Sequence, residues 1–200
     1  MKIVTSWDDG HKLDLKIVEL LKKYKLPGIF YISNVDLGFG LKKLIEISED
    51  FEIGGHTISH PEDLKRLTYT QLCEEICYNK KWLEDITGKP IKSFCYPGGR
   101  YNEETVRVVK ECGYENARTT VILNTDLPED PYRVQGTIHF SKRREYNGKS
   151  PLEVAVKQFE LAKSKPNGYF HIWGHSLEIE KYGLWDDLEK LFKIMARYIH

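Results

Sequence analysis

Lys2-Ile3-Val4-Thr5-Ser6-Trp7, running straight into Asp8-Asp9-Gly10, is the stretch on which the fold turns. Its β-branched and aromatic residues read as a strand, and the two carboxylates and the glycine end it abruptly. Working outward, Leu13, Ile17, Leu20, Leu21 and Tyr24 recur at helical spacing until Pro27-Gly28 stops the pattern. Gly28–Ser33 reads as a buried strand, Leu41–Ser48 as a helix, and Phe51–Gly55 as a short strand that delivers His56. Thr68 with Gln71 has the form of a capping box, opening a helix that runs to about Thr87-Gly88. Ser93–Tyr96 and Glu115–Thr120 read as strands on either side of a helix over Glu103–Cys112. An irregular, proline-rich section follows. Ser150-Pro151-Leu152-Glu153 then opens another helix, with a capping box and proline at its first position. Gly168–Trp173 is the last strand, and a helix from about Leu184 to Tyr198 closes the chain.

Strand and helix alternating in this way predict an α/β fold of parallel strands covered by helices, in one domain spanning residues 1–200. An open doubly wound sheet and a closed barrel both satisfy the pattern. In either, functional residues gather at the carboxyl ends of the strands. The unusual residues fall at those ends: Asp8-Asp9, His56, Pro97-Gly98-Gly99 and His175.

Composition narrows the function classes. Acidic and basic residues balance at 30 each, so no overall field draws the chain to nucleic acid or an anionic membrane. The apolar stretch before Asp8 is too short for a signal-peptide core, and no later stretch approaches a membrane span. The expectation is a cytoplasmic protein with no membrane insertion. Four cysteines, Cys73, Cys77, Cys95 and Cys112, could make two disulfides in an oxidising compartment, but nothing else suggests secretion. Cys73 and Cys77, one helical turn apart, could chelate metal, yet no CxxC or neighbouring histidine completes a site, and they are expected to be small buried hydrophobes.

Two adjacent carboxylates at a strand end repel each other, and they demand a cation or a shared proton unless they form a solvated acidic turn. His56-x-x-x-His60 is a second feature; on a helical turn such a pair projects from one face and can grip a divalent ion. His171 and His175 repeat the spacing, so spacing alone proves little. One carboxylate with two imidazoles leaves coordination positions open, the mark of a catalytic metal site. The second carboxylate beside them can act as a general base.

With these residues in place, the chain resembles the NodB-type polysaccharide deacetylases, carbohydrate esterase family 4. Thr5-Ser6-Trp7-Asp8-Asp9-Gly10 is similar to their first motif and Gly55-His56-Thr57-Ile58-Ser59-His60-Pro61 to their second. Phe94-Cys95-Tyr96-Pro97-Gly98-Gly99-Arg100-Tyr101-Asn102 resembles a variant of the third, and His171-Ile172-Trp173-Gly174-His175-Ser176 sits where the last belongs. The resemblance implies a distorted (β/α) barrel of about seven strands that hydrolyses the N-acetyl group of an aminosugar. It implies Asp8 as base, and Asp9, His56 and His60 as ligands of a divalent metal, zinc above cobalt, nickel or iron. A backbone N–H near Gly98 would stabilise the oxyanion, and His175, in competition with His171, would serve as acid. The family's base-orienting arginine falls at Cys95, which leaves Arg100 as the candidate to reach back to Asp8. The Asp-Trp element that supports the acid is not visible; Asp126, Glu178 and Trp185 are its candidate replacements.

Trp7, Trp173 and Tyr101 form either a sugar-stacking wall or part of the core, and Lys142-Arg143-Arg144 either a phosphate site or a solvated loop. The expected partner is an acetylated sugar or glycoconjugate. Rival readings are hydrolysis of a non-sugar amide or an O-acetyl ester, and an inactive metal- or glycan-binding domain.

Overall fold

The computed structural model describes residues 1–35 and 37–199. Seven strands, β1 (Lys2–Asp8), β2 (Ile29–Ile32), β3 (Glu52–Gly55), β4 (Ser93–Cys95), β5 (Asn116–Arg118), β6 (Ile138–His139) and β7 (Tyr169–Gly174), form one parallel sheet in the order β5-β4-β3-β2-β1-β7-β6. The helices are α1 (Asp14–Tyr24), α2 (Gly40–Asp50), α3 (Tyr69–Thr87), α4 (Glu103–Glu111), α5 (Pro151–Lys163), α6 (Ser176–Lys181) and α7 (Trp185–Ile199).

Of the two architectures left open by periodicity, the sheet takes the barrel form. Its edges, β5 and β6, are drawn together by the segment that leads into β6. Val134 pairs with Arg118, its N–H donating to Ala117 O (2.9 Å) and its carbonyl accepting from Thr119 N (2.8 Å). Three residues later Thr137 N donates to His171 O of β7 (2.7 Å). The seam is thin, so the barrel is distorted. β6 lies in the stretch expected to be irregular. Its two paired residues are too few to carry a period of two, and pairing is imposed by the neighbouring strand.

Alternation along β1 divides its side chains between two environments. Trp7 is fully buried against Phe192 of α7, their ring centroids 6.1 Å apart, whereas Ser6 and Asp8 point into the barrel, toward His171 and Arg118. The capping boxes at Thr68/Gln71 and Ser150/Glu153 both form, each worth about 1 kcal/mol. The cysteine expectation is overturned in part. Cys77 of α3 forms a disulfide with Cys112, which caps α4, and Cys73 remains free and half-buried. Spacing within one helix cannot reveal a partner on the next. Among the described residues, no helix is long and apolar enough to cross a membrane.

Candidate active site

Asp8 and Asp9 would point to opposite sides if the strand continued. It does not continue: Asp9 (φ 81°) and Gly10 (φ 71°) are both left-handed, which folds the chain back so that both carboxylates face one cleft. Gly10 is required there, because a Cβ would meet Leu37 and Ile32 at 3.0 and 3.1 Å on a backbone that favours glycine. At Asp9 the same conformation costs on the order of 1 kcal/mol or more, the kind of strain that collects at functional sites.

β3 ends at Gly55 and releases His56 beside this turn. The His56–His60 segment is a loop with left-handed Thr57 (φ 67°) and His60 (φ 52°), not the helical turn expected from the spacing. α3 holds it from behind. Glu75 accepts from Ile58 N, Ser59 N and Ser59 Oγ (2.9, 2.8 and 2.5 Å). Buried Asn79 accepts from His56 N (3.0 Å) and donates to Ile32 O (3.0 Å) and Asn34 Oδ1 (2.8 Å), tying together the ends of β2 and β3. Neither residue was singled out in the sequence; both look like ordinary helix polar residues.

Asp9 Oδ1 then lies 3.5 Å from both His56 Nε2 and His60 Nε2, and it is a buried oxygen with no hydrogen-bond partner. His56 Nδ1 lies 2.8 Å from Cys95 O. A carbonyl only accepts, so Nδ1 carries a proton and Nε2 is the atom left to face the aspartate and any cation beside it. These three donor atoms lie within 4.8 Å of one another. An orphaned carboxylate oxygen facing two imidazole nitrogens fits a divalent cation of zinc type. Burial alone would raise Asp9, but the imidazoles gathered round it, His56 first and then His175 and His60, hold it below the usual carboxylate range. His60 is lowered by burial and by His56, which favours the neutral, ligand-competent ring.

The guanidinium on Asp8 belongs to Arg118. Its Nη2 donates to both Asp8 oxygens, at 2.6 Å to Oδ1, and it is fully buried. Arg100, the sequence candidate, is exposed. Cys95 and Arg118 are register partners across β4 and β5, so the small thiol leaves space that the neighbouring strand fills with its arginine, whose Nη2 lies 2.8 Å from Cys95 Sγ. Burial would lower Arg118, but Asp8 more than offsets it and holds the group firmly charged.

His175 follows β7. Its Nε2 is 3.8 Å from Asp8 Oδ2 and from Asp9 Oδ2, and its Nδ1 is 3.0 Å from Glu178 Oε2. Burial would lower its pKa, and Glu178 with the two aspartates raises it instead. Of the three candidates for supporting this histidine, Glu178 is the one in contact. Asp126 pairs with Lys165 (2.7 Å), and Trp185 Nε1 donates to Glu180 (2.5 Å). His171 lies inside the barrel with both ring nitrogens satisfied, by Ser6 Oγ and Tyr169 OH, each at 2.8 Å. Burial followed by Arg118 pushes it well below the ordinary histidine range. A further carboxyl went unnoticed in the sequence. Asp14 is fully buried behind the site, both its oxygens lack partners, and burial pushes it up to about 8.

The cleft of about 240 Å³ is lined by Asp8, Asp9, His11, Ser33, Val35, His60, His175 and Leu177. Trp7, Trp173 and Tyr101 admit two readings, a sugar-stacking wall or core, and none of the three lines this cleft. Trp7 and Trp173 are core residues at 0% and 2% exposure, and Tyr101 stacks on Tyr96 at 4.2 Å. Gly98 is exposed in a left-handed turn (φ 58°) outside the lining. Lys142 lies over Tyr182, and Arg143 turns toward His139. A larger cavity of about 560 Å³ opens at the amino-terminal ends of the strands, away from the ligand set.

A peptidoglycan-N-acetylglucosamine deacetylase of Bacillus cereus is 28% identical over 120 residues, 56% of this chain and 54% of that protein. The chain spans about half the length, or less, of the curated relatives it matches. Two solved structures share the fold. The Xyl-CE4 domain of a multidomain xylanase from the hindgut metagenome of Trinervitermes trinervoides has a TM-score of 0.70 at 12% identity, covering 98% of this chain and 84% of that one. BA3943, a CE4 family pseudoenzyme from Bacillus anthracis, has a TM-score of 0.65 at 16% identity, covering 96% and 60%. The family model described as polysaccharide deacetylase matches residues 1–117, and the chain belongs to that family.

Proposed function

We propose that this member of the polysaccharide deacetylase family is a metal-dependent hydrolase that removes the N-acetyl group from an aminosugar-containing glycan or glycoconjugate. The observation that carries the reading is the orphaned Asp9 Oδ1 facing His56 and His60, with Asp8 and His175 on its flanks. A shared fold would not carry it, because BA3943 has the fold and is described as a pseudoenzyme.

Asp9, His56 and His60 would hold the ion, and their nitrogen and oxygen donors suit zinc while admitting cobalt, nickel or iron. When bound, a divalent ion supplies Lewis acidity, polarising the acetamide carbonyl and acidifying the attacking water. Asp8 is placed to take a proton from the attacking water, and Arg118 keeps its carboxylate aimed. An amine leaves only when protonated. His175 Nε2 supplies that proton, and Glu178 on Nδ1 fixes the ring so that Nε2 faces the cleft. A cleft of about 240 Å³ is below the roughly 300–1,000 Å³ of pockets that enclose whole ligands. It suits an acetamide and its ring, with the rest of the substrate outside.

The relative's name, a peptidoglycan-N-acetylglucosamine deacetylase, supports the aminosugar class. The cytoplasmic location expected from the sequence is opposed by the Cys77–Cys112 disulfide, which supports an oxidising compartment. The test is acetate release from a panel of N-acetylated sugars, O-acetyl esters and cyclic amides. Asp8→Asn is expected to lose turnover by roughly 100- to 10,000-fold while metal content stays unchanged. Equal acetate release by parent and variant overturns the mechanism, and release confined to esters or cyclic amides overturns the substrate class.

A further inference from the structure

Behind His175 lies a histidine that this mechanism leaves unused. His139 of β6 is 3% exposed, and its ring lies flat on the indole of Trp173, 4.0 Å away at an interplanar angle of 8°. The Arg118 guanidinium, which holds Asp8, also lies over that indole, at 4.2 Å. His139 Nε2 is 2.8 Å from Glu178 Oε2, off the line of an ideal hydrogen bond, and this is the same oxygen that His175 Nδ1 meets at 3.0 Å. On the far side of the ring, Arg143 Nη1 is 3.3 Å from His139 Nδ1.

A guanidinium can only donate. His139 Nδ1 therefore accepts, and the neutral ring carries its proton on Nε2, facing Glu178. Burial, the largest influence on this ring, favours the neutral form. We propose that His139 is a positioning residue: with its tautomer set by Arg143 and its plane set by Trp173, it presents an N–H to Glu178 and locks the carboxylate that holds His175. A carboxylate oxygen shared between the two rings is held on His175 Nδ1, so the acid keeps Nδ1 on Glu178 and Nε2 toward Asp8 and Asp9. Trp173 is then the common wall of the two halves of the site, touching Arg118, which holds the base, and His139, which backs the partner of the acid. The catalytic consequence rests on the deacetylase reading; the tautomer of His175 does not.

Two substitutions separate a positioning role from a packing role. His139→Phe keeps a flat ring on Trp173 and loses the N–H, whereas His139→Gln keeps an N–H donor and loses the ring. In the zinc-loaded protein, His139→Phe is expected to lower kcat about tenfold, within the roughly 10- to 100-fold typical of such supporting groups. KM and metal content should not change, and His139→Gln should recover most of the rate. An unchanged kcat in His139→Phe, equal losses in both variants, or a loss carried by KM or metal content overturns the proposal. Nitrogen-15 NMR of the His175 ring, at a pH high enough to make that ring neutral, gives a second readout that needs no activity. The Nδ1–H form is expected in the parent and in His139→Gln, and a mixture of tautomers in His139→Phe; the same tautomer in all three overturns the proposal. Should His139→Phe fail to fold, Arg143→Met tests the same link at a half-exposed position, with a severalfold fall in kcat expected and an unchanged kcat refuting it.

Discussion

Two histidine pairs of identical spacing, His56/His60 and His171/His175, behave in opposite ways. The first pair closes on one oxygen of Asp9, both Nε2 atoms at 3.5 Å. The second is split: His171 is sealed in the barrel by Ser6 and Tyr169, while His175 reaches the cleft. The difference lies in where the strand stops. β3 ends before His56, so both rings lie on a loop that left-handed Thr57 and His60 fold back on itself. β7 runs through Gly174, so His171 is a strand residue whose inward direction is dictated by the pleat. Four-residue spacing makes a pair only when the backbone between the two residues is free to turn.

The sharpest way to break this comparison is to remove an imidazole from each pair. His60→Ala is expected to lose both the bound metal and turnover, the largest effect among these variants, read by elemental analysis beside acetate release. Full metal content in that variant would mean the first pair is not a ligand set. Next in size is the arginine that holds Asp8. Arg118→Lys keeps the charge but loses the planar fork and should lower kcat roughly 10- to 100-fold, whereas Arg100→Gln should leave kcat unchanged. A reversal of these two would restore the arginine first expected from the sequence. The smallest effect on rate belongs to His171→Phe. It strands Ser6 and Tyr169 without a partner, at a cost of about 1–3 kcal/mol in chemical unfolding, while folded protein keeps its kcat. A large loss of kcat there would put His171 into the chemistry and erase the contrast between the pairs.

The fold was legible in the sequence wherever an element had enough residues to show a period or a cap. Thr68 and Ser150 announced α3 and α5 before any packing was known, and both capping boxes form. β6 was not legible because two residues carry no period, and α6 was not because its six residues fall between a strand and the closing helix. Periodicity also could not choose between sheet and barrel, a choice made by backbone bonds around Val134 that leave no mark on side-chain type. Within the site, the convergence of Asp9, His56 and His60 was readable because aspartate and histidine at strand ends are rare enough to stand out. Arg118 was not. Its one signal was a lone arginine in a three-residue strand, and its meaning depends on the cross-strand neighbour, Cys95, being too small to occupy the same space.

The Cys77–Cys112 cross-link joins positions 35 apart in the chain. Tying a loop of that length restricts the unfolded ensemble and favours the native state by roughly 4 kcal/mol of loop-closure entropy. The bond sits on α3 between Glu75 and Asn79, the two residues that clamp the His56–His60 loop. Opening it would remove a tether from the helix that clamps the His56–His60 loop from behind.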